Sequence, residues 1–247
     1  MITQAALTDI GRKRKVNQDY VFSSAGPVGQ FESLFILADG MGGYNAGDLA
    51  SRMLVETVVS LMKRSAAGTV RALRTAIETA NTLIRRKAAS DPGLTGMGST
   101  VVACVIEGSE MIAANVGDSR LYIVRDGLHQ VTRDHSLVEE MIRRGELERG
   151  SEEYREKRHI ITRAVGAEET VDVDMFEFTL QNGDYVLMCS DGLSNMVDED
   201  RMLGVVTGAG SIRYKANTLI SMANENGGTD NIAVILLRYE EGGEPNA

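Results

Sequence analysis

Cysteine is nearly absent: Cys104 and Cys189 are the only two in 247 residues, and each lies inside an apolar run. That excludes a disulfide framework and a thiolate metal site, and it suits two reduced core thiols in the cytosol. Proline is scarce too, at Pro27, Pro92 and Pro245, so no Pro-rich linker divides the chain. With no internal repeat and no low-complexity tract, the expectation is one domain over residues 1–247. Long hydrophobic runs are missing. The longest, at residues 101–106 and 232–237, fall far short of the roughly 18 residues that span a bilayer, so no membrane insertion is expected. The opening Met1-Ile2-Thr3-Gln4 has no basic segment leading into an apolar one, as a secretory signal would. The expected location is cytoplasmic. Basic residues are outnumbered, 26 Lys and Arg against 35 Asp and Glu, for a net charge of -9. Nucleic acid and anionic membranes recruit clustered Lys and Arg, so a cation or a basic partner fits better and no nucleic-acid partner is expected.

Short apolar runs at residues 5–8, 20–23 and 34–38 predict strands. Two helices should follow. From Asn45, Leu49, Met53, Leu54, Val58 and Leu61 recur at three- and four-residue spacing, and Val70, Leu73, Ile77, Ala80 and Ile84 repeat the pattern; these stripes predict core faces, not a cofactor site. Residues 100–106, 111–115, 121–124 and 128–132 are short, close and separated by turn formers, the pattern of an antiparallel meander. Residues 137–163 are rich in Glu and Arg, with one amphipathic cluster at Leu137, Val138, Met141 and Ile142, and predict a loosely packed surface flap. Strands are expected again at 171–180, 185–189 and 231–238, with helices at 199–206 and 212–226. Segregated blocks of strand and helix argue for an α+β fold on antiparallel sheet.

The chemistry lies in aspartates at the ends of apolar runs beside residues that permit tight turns: Asn17-Gln18-Asp19, Ala38-Asp39-Gly40-Met41-Gly42-Gly43, Val116-Gly117-Asp118-Ser119-Arg120, Ser190-Asp191-Gly192 and Gly228-Thr229-Asp230-Asn231. One Asp-Gly alone is a surface turn. Five acidic turns, four of them following apolar strands, are harder to explain singly, and several strand ends could converge on a hard divalent cation, which takes oxygen ligands.

In order and spacing these segments, together with Gly98-Ser99-Thr100 and the run Gly11-Arg12-Lys13-Arg14-Lys15-Val16-Asn17-Gln18-Asp19, resemble the metal-dependent protein serine/threonine phosphatases of the PPM (PP2C) family in their compact bacterial form. The likeness covers nearly the whole chain. It implies a four-layer α-β-β-α sandwich, two central antiparallel sheets flanked by helices. It implies two Mn²⁺ or Mg²⁺ ions, with room for a third and weaker one, and hydrolysis of phosphoserine and phosphothreonine by water bridging the metal pair. Residue by residue, Asp39 would bridge both metals, with the Gly40 carbonyl on one and Asp191 and Asp230 on the other. Asp19 would act through metal-held water, and Asp118 would bind the third metal. Arg14 would grip the substrate phosphate, a task that suits the guanidinium fork, although on its own it reads equally as part of a solvated basic run. Phosphorylated proteins, a Hanks-type kinase among them, would be its partners, and it would act as a monomer.

Some members of the family place a histidine after the Asp-Gly pair as general acid. Met41 stands there instead and cannot donate a proton. Water near the metals or near Asp19 is then the expected donor; His135 reads as a locally bonded loop histidine, and His129 and His159 carry no motif. Cys104 and Cys189 sit in apolar strands and do not read as nucleophiles. Two other functions keep the fold: a catalytically silent sensor or binding module, disfavoured because Asp39, Asp191, Asp230 and Arg14 are all present, and a phosphatase dedicated to anti-anti-sigma factors, disfavoured by the strong N-terminal signature.

Overall fold

The computed structural model describes residues 1–43 and 46–241. In chain order its strands are β1 (Ile2–Asp9), β2 (Asp19–Ser24), β3 (Leu34–Met41), β4 (Gly98–Ser99), β5 (Val101–Glu107), β6 (Glu110–Val116), β7 (Arg120–Val124), β8 (Leu128–Gln130), β9 (Asp174–Thr179), β10 (Tyr185–Cys189) and β11 (Ile232–Tyr239). The α-helices are α1 (Ala46–Met62), α2 (Thr69–Ala89), α3 (Leu137–Arg143), α4 (Glu152–Lys157), α5 (Asp191–Ser194), α6 (Glu199–Thr207) and α7 (Ile212–Glu225). The helix start expected at Asn45 lies outside the described residues.

Two antiparallel sheets form the centre, one in the order β1-β11-β10-β7-β8 and the other β2-β3-β5-β6-β9, with β4 paired to β3. Side chains alternate across each strand, and here both faces are covered. In β3, Phe35 and Leu37 point into the space between the sheets, where they meet Val102, Cys104, Leu121, Ile123, Val186, Met188, Ala233 and Ile235. Leu34, Ile36 and Ala38 point the other way, onto Leu54, Val58, Leu73 and Ile77 of α1 and α2. In the second sheet Leu187, Val234 and Leu236 pack outward on Met202, Val206, Ala216 and Leu219 of α6 and α7. A four-layer α-β-β-α sandwich results, and it accounts for the uninterrupted apolar runs of β5 and β11.

Two readings change. The expected meander over 100–132 is two hairpins in different sheets: β5 and β6 pair with each other, whereas β7 pairs with β10 and β8. β5, β6 and β7 are buried on both faces, so periodicity carries no information about which sheet each joins. The strand expected at 171–180 forms only over Asp174–Thr179. The flap contains two short helices capped by Ser136 and Ser151, whose hydroxyls accept from the Glu139 and Tyr154 amides. Only Val138 is buried in the first helix and no residue in the second, so the loose packing expected from the sequence is found.

Candidate active site

The two sheets end together at one cleft. Asp39 and Gly40 lie at the end of β3, Asp118 in the crossing from β6 to β7, Asp191 just after β10, Asp230 just before β11, and Arg14 on the β1–β2 connection. All six line a hollow of about 280 Å³, with Met41, Thr100 and His159 among their neighbours. Asp19 stands behind the lining. It pairs in register with Asp39 across β2 and β3, it is 5% exposed, and its Oδ2 accepts the Ser190 hydroxyl at 2.8 Å. The site-forming residues expected from the sequence thus come together, although they are spread over 216 positions between Arg14 and Asp230.

Close backbone packing sets these positions. A Cβ at residue 40 would lie 2.0 Å from the Gly47 carbonyl oxygen, and one at residue 192 would lie 1.9 Å from that of Asn231. Neither position can hold a side chain, so the main chain beside Asp39 and Asp191 comes closer than any other residue allows. Asn231 fastens the Arg14 loop: its Nδ2 donates to the Ile10 and Val16 carbonyls at 2.9 and 3.0 Å, and its Oδ1 accepts the Gln18 amide at 2.9 Å. Asp39 is held at its backbone, where its amide donates to Thr100 Oγ1 at 3.2 Å and its carbonyl accepts the Thr100 amide at 2.8 Å.

The cleft is strongly electronegative. Burial, together with the neighbouring charges of Asp19, Asp191, Asp118 and Asp230, holds the Asp39 carboxyl well above the usual carboxylate range. Burial likewise raises Asp19 to about 8 and Asp118 to about 8, with the charge of Asp191 adding to each, and raises Asp191 to about 6, with Asp230 adding to it. Against them stands Arg14, whose guanidinium donates to Asp230 Oδ2 at 2.7 Å from an exposed position.

A divalent cation fits this donor set. Ionised carboxylates only accept hydrogen bonds, and Asp19 Oδ1 and Asp191 Oδ1 are buried with no partner among the described residues. The carboxylates line the cleft without closing into a finished cage, because among the described residues no three His, Cys, Asp or Glu groups are gathered as a metal cluster. Mg²⁺ and Mn²⁺ are compatible with such an open arrangement, since hard cations of this size keep several waters and need few protein ligands. A larger hollow of about 350 Å³ under α3 lacks this character. Its Arg163 and Asp174 are already paired at 2.8 Å.

Two residues of the sequence motifs serve elsewhere. Arg120 turns away from the cleft and makes a buried two-pronged pair with Asp134, its Nε and NH2 at 2.9 and 2.7 Å from Oδ2. His135 lines the other hollow and is fully engaged: Nδ1 accepts the Gly117 amide at 3.0 Å, and Nε2 lies 3.2 Å from Asp174 Oδ2. The reading of His135 as a locally bonded histidine is therefore the one found. Sequence reasoning missed His159, which the flap brings to the cleft, and the fastening role of Asn231. Asn231 stood in view beside Asp230, but no pattern in the sequence marked His159.

The protein phosphatase 2C family profile matches residues 11–231. The chain belongs to that family. A serine/threonine phosphatase, stp, of Listeria welshimeri is 40% identical over 238 residues, covering 93% of each chain. The protein phosphatase PhpP of Streptococcus pneumoniae is 37% identical over 240 residues, covering 95% of this chain and 96% of its own. Among phosphatase 2C structures, the S. agalactiae serine/threonine phosphatase superposes with a TM-score of 0.89 at 37% identity, over 97% of this chain and all of its own. The catalytic domain of the phosphatase PstP, solved with two manganese ions, gives 0.82 at 31% identity, over 96% of this chain and 97% of its own. Family membership and sandwich agree with what the motifs implied.

Proposed function

We propose that this protein hydrolyses phosphoserine and phosphothreonine esters on other proteins in the cleft of Asp39, Asp191 and Asp230. The carrying observation is the convergence of buried carboxyl oxygens, two of them unpartnered, beside the exposed Arg14 guanidinium. Asp39, Asp191, Asp230 and the Gly40 carbonyl would hold two Mn²⁺ or Mg²⁺ ions, and Asp118 would serve a third. Bound there, such ions neutralise the phosphate dianion and acidify a water that can attack phosphorus. Asp19, its Oδ2 steadied by Ser190, would order that water from behind Asp39. Arg14, half-exposed at the cleft mouth, takes two phosphate oxygens through its parallel N–H groups and trades its contact with Asp230 for them. No covalent phosphoenzyme is needed, and burial pushes both thiols up to about 12, which removes them as nucleophiles.

The likeness to the protein phosphatase PhpP favours protein substrates. Within that class we place a Hanks-type kinase and its targets as partners, and a cytoplasmic monomer as the working form; among the described residues no helix is long and apolar enough to cross a membrane. The deciding experiment measures phosphate released from a phosphothreonine peptide with Mn²⁺, with EDTA, and with Asp39→Asn or Asp191→Asn. Turnover that EDTA and both substitutions abolish is expected. A folded, Mn²⁺-loaded protein that releases no phosphate would sink the enzyme reading.

A further inference from the structure

Breaking a phosphate ester of serine or threonine leaves a strongly basic alkoxide, so a proton must reach that oxygen as the bond to phosphorus breaks. Met41, next to Gly40 in the cleft, has none to give. Arg14 does not surrender its proton in a protein, and with cations bound the cleft aspartates would be ionised and hold no proton to give. His135 faces the other hollow with both ring nitrogens engaged. Among the described residues lining the cleft one imidazole remains, that of His159, which reaches the lining from the flap.

We propose that His159 is the general acid for the departing serine or threonine oxygen. The inference rests on the phosphatase reading of the same cleft. Its placement is what carries it. Although the flap helices are loosely packed, the residues on either side of His159 are tied down: the Ile160 amide donates to the Lys157 carbonyl at 3.0 Å, and the Leu137 amide donates to the Ile160 carbonyl at 2.8 Å. Ile161 bridges Ser136, and the Thr162 amide donates to the His135 carbonyl at 2.8 Å. His135 is bonded in turn to Gly117 through both its backbone amide, at 2.9 Å, and its ring. A continuous hydrogen-bonded path therefore runs from the turn of Asp118 to the residue beside His159. The backbone beside His159 is tied to the cleft floor, while its ring, exposed at the rim, makes no hydrogen bond among the described residues.

In the step itself a water oxygen bonds to phosphorus while the bond from phosphorus to the side-chain oxygen breaks. The His159 imidazole passes a ring N–H proton to that oxygen. The products are inorganic phosphate and the free serine or threonine hydroxyl, and solvent returns a proton to the ring. No oxidant or further reactant enters.

The test compares wild type, His159→Gln and His159→Ala, with His129→Gln as a control at an exposed histidine bonded to Asp126. Each is assayed with Mn²⁺ on a phosphothreonine peptide and on 4-nitrophenyl phosphate, whose acidic leaving group departs without a proton. General acids contribute about 10²- to 10⁴-fold, so both His159 variants should lose at least about a hundredfold in kcat on the peptide with KM little changed. On the aryl ester the loss should be far smaller, and the difference should grow across aryl phosphates as the leaving group becomes more basic. Equal losses on the two substrates would overturn the proposal, since they would mean that His159 places phosphate or metal, and so would no loss on the peptide. Inactivity of wild type on both substrates would remove the phosphatase reading and the inference with it, and wild type alone reveals that outcome.

Discussion

Replacing Asn231 by alanine should detach the Arg14 loop from β11. The side chain is 2% exposed and bonds to three backbone groups that lie outside any strand or helix: the Gln18 amide and the carbonyls of Ile10 and Val16. At about 1 kcal/mol net for each buried hydrogen bond, the loss is about 3 kcal/mol. For a chain of this size each kcal/mol moves Tm by roughly 2 to 4 °C, so Asn231→Ala should melt about 6 to 12 °C lower. Urea titration in EDTA should show the midpoint falling with the slope unchanged. Asn231→Asp sharpens the reasoning, because it keeps the volume and the acceptor for Gln18 but turns an oxygen toward two carbonyl oxygens. It should be at least as destabilising as alanine. Both variants should lose turnover on a phosphopeptide at temperatures where they remain folded, since the loop carries Arg14. An alanine variant within about 1 kcal/mol of wild type, or an aspartate variant more stable than the alanine one, would refute the account.

Arg120→Met should cost about 3 to 5 kcal/mol by urea titration, because it leaves Asp134 buried without its guanidinium; adding Asp134→Asn should recover part of that, and an unaltered midpoint in the single variant would contradict the pairing. Burial holds Asp19, Asp118 and Asp191 above the ordinary carboxylate range, so in EDTA the folded state binds more protons than the unfolded state from about pH 4 to pH 8, and stability from these groups falls as pH rises through that window. Thermal melts in EDTA should therefore lose stability from this source toward pH 8, and Mn²⁺ should bind more tightly as the carboxyls ionise; calorimetry showing affinity independent of pH would contradict it. Cys104 and Cys189, both buried and free, should ignore a thiol reagent in the folded protein and react together on unfolding, whereas rapid labelling of the native protein would place one of them at the surface.

The aspartates could be read from the sequence because each combines an apolar strand with a turn, and a strand end fixes where a short side chain points. The layers were legible for a related reason. The stripe from Leu54 to Val58 and the unbroken runs of β5 and β11 report burial directly. Which sheet a strand joins was not legible, because Leu121 and Tyr122 are both buried and alternation has no contrast left to use. Nor was His159, whose place depends on backbone bonds between residues 135–137 and 160–162. Main-chain bonds of that kind leave no mark on side-chain pattern. Asn231 shows the intermediate case, visible as part of a motif yet silent about the loop of Ile10 and Val16 that it fastens.

The cleft straddles the seam of the sandwich. Asp39 comes from one sheet, while Asp191 and Asp230 flank strands of the other. Ions held between them would act as rivets through two plates, and any opening of the interface filled by Phe35, Val102, Met188 and Ile235 would pull the rivet holes apart. Catalysis and cohesion then share one fate. The protein should lose its cations before it loses its secondary structure on heating, and free Mn²⁺ should raise the temperature of both events together.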